Sequence, residues 1–65
     1  AGGVVNVNTA DATSLDALPG VGPVLAQRIV EWREKNGRFS SVDELGEVSG
    51  IGDKMLDRLR SKVTV

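Results

Sequence analysis

Two short stretches of this sequence have the composition of a backbone anion-binding site. Residues 18–23 read LPGVGP and residues 48–53 read VSGIGD, so each holds two glycines around one apolar residue. Glycine lets the backbone bend through positive φ and leaves no β-carbon to obstruct a ligand. We predict that the central residues, Val21 and Ile51, point into the core. The amides of the glycines and of the next helical residues then face solvent, where they can hold a phosphate.

The side chains offer little other chemistry. The sequence contains no cysteine and no histidine, which excludes disulfides, the usual zinc sites and thiol or imidazole catalysis. Asp43, Glu44 and Glu47 form the one acidic run that resembles an acid–base or metal cluster, but helix capping and solvation explain them better. We therefore expect a binding module that is not an enzyme, with no metal site and no small-molecule substrate.

Length and charge limit the remaining choices. The chain has 65 residues, enough for one domain, and its 8 basic and 9 acidic residues give a net charge of −1. A nucleic-acid binder is usually basic, yet amides at helix starts carry positive potential that composition does not record. The AGG at residues 1–3 is interpreted as a linker remnant, and residues 4–65 as the domain. With no long apolar run, the chain is expected to be soluble as given.

The first glycine turn lies between two predicted helices. Asp11 is a good N-cap for a short helix that Pro19 must end. Pro23 suits the first position of a second, longer helix, because that position needs no amide hydrogen. Gly37 fits its C-terminal cap.

The second glycine turn has the same setting. Ser41 and Glu44 have the spacing of a capping box for a short helix that runs to about Val48. The last helix is predicted to end near Ser61 or Lys62.

Residues outside the helices complete the predicted core. Trp32 is expected to pack at the edge of the core and Phe39 to hold the connector against it, rather than to stack on bases. The alternating stretch at residues 4–8 suits an extended segment, and we hypothesise that it pairs with the VTV at residues 63–65.

A shift of the chain by thirty residues superimposes the two halves. The shift pairs Leu15 with Leu45 and Arg28 with Arg58 as identities, and the apolar positions of the helices also match. The first repeat covers about residues 11–36 and the second about 41–62. Neither repeat has enough apolar surface to fold alone, so we predict that they pack about a pseudo-two-fold axis in an all-α fold of four to five short helices.

These motifs resemble the helix-hairpin-helix DNA-binding domains of the ComEA competence family. The resemblance rests on VNVNTA, LPGVGPVLAQRIVEWREKNGRF, SVDEL, VSGIGDKMLDRL and the final VTV, in that order from Val5 onward. It implies the tandem helix-hairpin-helix, SAM-like fold. It also implies sequence-non-specific binding of double-stranded DNA across the minor groove, with one hairpin on each strand.

The resemblance assigns the binding residues position by position. Backbone amides would contact phosphates, and Arg28 and Arg58 would flank the contacts as secondary residues. The hairpin residues so assigned are Gly20, Val21, Gly22, Val24, Leu25, Gly50, Ile51, Gly52, Lys54 and Met55. Some members of the wider family hold a monovalent cation on hairpin carbonyls, which is the only cofactor that the resemblance suggests.

The same resemblance implies a biological setting. ComEA-like domains belong to a membrane-anchored DNA receptor outside the inner membrane, which takes up DNA in natural transformation with other competence proteins. Two alternatives stay open at this point. One is a structural or protein-interaction module, as in PsbU-like photosystem proteins or secretion pseudopilins, and the other is an appendage of a DNA-repair enzyme.

Overall fold

A computed structural model describes residues 4–65 as four helices and two short strands. The predicted linker remnant at residues 1–3 lies outside the described residues. The elements are β1 (Val5–Asn6), α1 (Ala12–Asp16), α2 (Pro23–Asn36), a 3₁₀ helix (Val42–Glu47), α3 (Asp53–Leu59) and β2 (Val63–Thr64). Within that range, none of the helices has the length and apolar character needed to cross a bilayer. The predicted all-α class and helix number are confirmed.

The two strands join the ends of the domain. They pair in parallel, with Val5 opposite Val63. The Val5 N–H donates to the Lys62 carbonyl and the Val7 N–H to the Thr64 carbonyl, both at 2.9 Å. Val7 and Val63 are buried, so the pair also contributes to the core. The hypothesised pairing of these two segments is confirmed.

The helix boundaries in the first repeat follow from local chemistry. The Asp11 carboxylate accepts the Ser14 N–H at 2.9 Å and caps α1 as predicted. This hydrogen bond to the charged form lowers the pKa of Asp11 below its ordinary value. Pro23 is the first residue of α2, and Gly37 ends that helix with a φ of 95°, a conformation that favours glycine.

Ser41 is the N-cap of the 3₁₀ helix and Val48 its C-cap, as predicted, but the capping box and the end of the last helix were predicted wrongly. The Ser41 side chain makes no capping bond, and the Glu44 carboxylate instead accepts the N–H of Ser40, one residue earlier than in a capping box. The segment forms a 3₁₀ helix, whose tighter winding changes which amide the carboxylate reaches. The last helix ends at Leu59 rather than near Ser61, because a turn in which the Lys62 N–H donates to the Leu59 carbonyl leads the chain into β2.

The thirty-residue repeat is also a repeat of hydrogen bonds. Within the first turn, the Val21 N–H donates to the Leu18 carbonyl at 3.1 Å, and Ile51 and Val48 repeat this bond at 3.1 Å. Helices α2 and α3 then begin with matching bonds of 2.9 Å, from Ala26 to Gly22 and from Leu56 to Gly52. The duplication predicted from sequence is therefore present in the backbone.

The connector between the repeats is fastened to the core by Phe39. Its side chain is fully buried, and its ring stacks on Trp32 with centroids 4.4 Å apart and an interplanar angle of 12°. The Asn8 side chain accepts the Phe39 N–H at 2.7 Å and donates to the Phe39 carbonyl at 2.9 Å. The connector thus binds the extended segment that precedes α1, as well as α2. The predicted core positions of both aromatic residues are confirmed.

Candidate nucleic-acid interface

The two glycines of each turn differ in backbone conformation and in position. Gly20 and Gly50 have φ values of 79° and 102°, which side chains rarely tolerate. Gly22 and Gly52 have φ values of −104° and −94° with extended ψ, and they are the N-caps of α2 and α3. The expectation that both glycines bend through positive φ was therefore wrong for the second one. The reversal of the chain needs only the first glycine, and the second lies where the helix begins.

The second glycines face open space. A β-carbon added at Gly22 or Gly52 would meet no atom within 4 Å. Glycine is a favourable N-cap, but serine, threonine, aspartate and asparagine are equally suited to that position, and any residue can adopt this backbone conformation. An approaching ligand would explain the absence of a side chain at both positions.

The first glycines are covered instead by the opposite hairpin. A β-carbon at Gly20 would lie 2.9 Å from Cε of Met55, and one at Gly50 would lie 3.2 Å from Cδ1 of Leu25. Leu25 and Met55 are equivalent under the repeat, so the contact is reciprocal. Each helix start rests on the other turn, which keeps the two hairpins side by side.

The central residues anchor the turns. Val21 and Ile51 are each 5% exposed, and their N–H groups are used in the turn bonds to Leu18 and Val48. Their side chains therefore lie in the core, as the sequence indicated, and their N–H groups are not available to a ligand.

The neighbouring amides have no partner in the part of the chain that the structure describes. Neither backbone nor side-chain acceptors engage these N–H groups, and the first paired amides of the two helices belong to Ala26 and Leu56. The hairpins together therefore present a row of donors at two adjacent helix starts, where the helix dipoles also favour an anion. The donors are Gly20, Gly22, Val24 and Leu25 in the first hairpin and Gly50, Gly52, Asp53, Lys54 and Met55 in the second.

Sequence reasoning missed the Asp53 amide. Under the repeat, Asp53 occupies the position of Pro23, which has no N–H to donate. The start of α3 therefore has a backbone donor that the start of α2 lacks. The signal was present in the sequence, because a residue other than proline at the first helical position always leaves this amide unpaired within the helix.

The charged side chains around the hairpins are not symmetric. Nη1 of Arg28 donates to the Ser49 carbonyl at 3.2 Å, so this arginine of the first repeat supports the second turn. Arg58 is exposed and makes no such bond within residues 4–65. Lys54 is exposed at the second position of α3, where the helix dipole does not favour a cation.

Another arginine is bound to carboxylates away from the turns. Arg60 makes ion pairs with Asp43 and with Asp57, the latter at 3.4 Å. The hydrogen bond with Asp43 is the main reason why the pKa of Arg60 is raised above its ordinary value. The positive charge of Arg60 and the negative charges of Asp43 and Asp57 therefore offset one another locally. No cluster of three or more potential metal-ligating side chains occurs among residues 4–65.

The sequence is similar to known proteins along nearly its whole length. Residues 1–64 match the family model of the helix-hairpin-helix motif. The chain is 44% identical over 64 residues to ComE operon protein 1 of Bacillus subtilis, covering 98% of this chain and 31% of that protein. It is 43% identical over 61 residues to endonuclease/exonuclease/phosphatase family domain-containing protein 1 of Xenopus laevis, covering 94% of this chain and 11% of that protein.

A third relative is an uncharacterized protein of Haemophilus influenzae. It is 40% identical over 60 residues, which cover 91% of this chain and 54% of the relative. The chain therefore spans between about a tenth and about half of the length of these relatives.

Proposed function

Since this chain belongs to the helix-hairpin-helix family, we propose that it binds double-stranded DNA through the backbone amides of its two hairpins. Each hairpin holds phosphates of one strand across the minor groove, and base sequence is not read. The observation that carries this proposal is the row of unpaired N–H donors at two helix starts that reciprocal contacts hold together. Amides at helix starts are suited to phosphate, and contacts to phosphate alone carry no sequence information.

One relative supports a role in competence. The match to ComE operon protein 1 extends over nearly the whole of this chain. On that basis the domain serves as the DNA receptor of a competence system, on an extracytoplasmic, membrane-anchored protein that works with other competence proteins. The domain itself binds and does not catalyse. A domain that matches 11% of a protein named for an endonuclease/exonuclease/phosphatase domain is consistent with a portable binding unit.

A nuclear magnetic resonance titration tests the proposal. The labelled protein is titrated with a random-sequence duplex, the matched single strand and an anionic control polymer. We expect the duplex to shift the amide signals of residues 20–25 and 50–55, while those of β1 and β2 serve as internal controls. A duplex that shifts neither hairpin would contradict the proposal. Equal shifts with the control polymer would show that the protein binds DNA through charge attraction alone.

The net charge of −1 favours one second candidate, a structural or protein-interaction module that does not bind DNA. The unpartnered amides of the two hairpins would have no role in such a module. It predicts that the duplex has no effect on the hairpin signals even at low salt, where phosphate contacts are strongest. The same titration therefore separates the two functions.

A further inference from the structure

The two hairpins differ at one equivalent pair of side chains. Val24 and Lys54 are both the second residue of the helix that follows a glycine turn. Both are exposed, and the exposed fraction of Val24 is 67%, larger than that of Val4 at 53% or Val65 at 36%. The first hairpin thus presents an apolar side chain where the second presents a cation.

A single exposed valine needs no explanation on most surfaces. This valine, however, lies among the unpaired amides, next to its own free N–H and two residues from that of Gly22. The space around Gly22 is open, and the Met55 contact on Gly20 fixes the second helix start beside it. The exposed side chain of Val24 is therefore available to a ligand that the amides of the first hairpin hold.

The DNA backbone supplies a matching surface. Its charged phosphates alternate with deoxyribose rings, whose carbon-bound hydrogens are its apolar part. We propose that the Val24 side chain packs on a deoxyribose beside the phosphate held by the first hairpin, while Lys54 makes an ionic contact at the second. Valine is stiff at χ1 and loses little entropy when it is fixed in this way. The first hairpin therefore contributes apolar contact, and the second contributes most of the side-chain charge.

The two hairpins should therefore contribute unequally to the salt dependence of duplex binding. An apolar contact releases no counterions, whereas each cationic contact adds about −0.9 to the slope of log affinity against log salt. Val24→Ala should therefore weaken duplex binding about 3- to 10-fold, from the lost methyl burial, with an unchanged slope. Lys54→Val should flatten the slope by about 0.9. The double exchange V24K/K54V should restore the slope of the original protein, because it returns one cation to the pair.

Val4→Ala is the matched control, because Val4 is also exposed but precedes β1 and not a hairpin. Alanine favours helix more than valine, so Val24→Ala will not unfold α2, and circular dichroism checks this. Equal affinity of Val24→Ala and the original protein, or a changed slope, would overturn the assignment of Val24.

This assignment rests on the proposed duplex binding, and the two fail differently. If the original protein does not bind duplex at low salt, both are wrong. If it binds and Val24→Ala binds equally well, only the contact of Val24 with the sugar is wrong.

Discussion

Replacing Gly22 and Gly52 together with valine should abolish duplex binding and leave the fold intact. Both glycines have negative φ with extended ψ, a conformation that valine adopts readily. Added β-carbons would meet no atom within 4 Å. The new methyl groups would instead stand in the open space through which a phosphate must reach the hairpin amides.

The expected cost to stability is small. Valine is a poorer N-cap than glycine, and the loss is on the order of 1 kcal/mol per site. Replacing glycine also lowers the conformational entropy of the unfolded chain, which stabilises the folded state by about 0.4–1 kcal/mol per site. A domain of this size is stable by roughly 3–10 kcal/mol, so the double variant should remain folded.

The expected effect on binding is large and can be measured by its salt dependence. We take about two phosphates per hairpin. If each phosphate contact releases a counterion as fully as a cationic contact does, the slope of log affinity against log salt is no steeper than about −3.6. Affinity then falls about 150-fold between about 50 and 200 mM salt. The single variant Gly52→Val keeps one hairpin, so its slope should be about −1.8 and its loss about 12-fold over the same range.

Fluorescence anisotropy with a labelled random-sequence duplex measures these slopes, and circular dichroism confirms folding. Gly46→Ala is the matched control, because it adds a β-carbon outside the hairpins, 3.4 Å from Cδ2 of Leu56, an ordinary contact distance. It should leave the slope unchanged. A folded G22V/G52V protein that binds duplex with the original affinity would refute the role of the hairpin amides.

Three further perturbations test the charge, the core and the cap. Lys54→Ala should weaken binding equally for all duplex sequences and flatten the salt slope by about 1, and an unchanged slope would show that Lys54 is only solvated surface. Phe39→Ala should cost about 3–5 kcal/mol, much of the total stability, measured by urea unfolding with the fluorescence of Trp32, the single tryptophan. Because the pKa of Asp11 is lowered in the folded state, its carboxylate stabilises the fold above the ordinary aspartate value of about 3.9 and ceases to do so as the pH falls through the lowered pKa. Thermal unfolding should show Asp11→Ala less stable than the original protein at pH 7 and equally stable in strong acid, and a constant difference would contradict the cap.

The features that sequence predicted well depend on local rules. Pro23 has no amide hydrogen to lose at the first helical position, and Asp11 can reach the amide three residues ahead. The repeat was visible because both halves carry the same turn and must bury the same apolar positions. For the cap and the proline, the residues that decide the structure are close together in the chain.

Some of the features that sequence missed depend on contacts between distant parts of the chain. Arg28 and Arg58 are identical under the shift, yet among the described residues 4–65 Arg28 bonds across to the opposite turn and Arg58 does not. The capping box at Ser41 failed where the chain follows a 3₁₀ path behind a connector fixed by Phe39. Local patterns carry no information about such long-range packing, so identical residues in the two repeats can have different partners.

The net charge of −1 bears on the rate of DNA association more than on the contact itself. Long-range steering depends on the summed field of a protein, and this chain has little to attract a polyanion from a distance. Away from the hairpins, the charges of Arg60 and its carboxylates offset one another, while the hairpins present amides whose partial charges act at the first turn of each helix. On the proposed function, an acidic domain of this kind docks on phosphate by geometry, and its association rate should gain little from electrostatics.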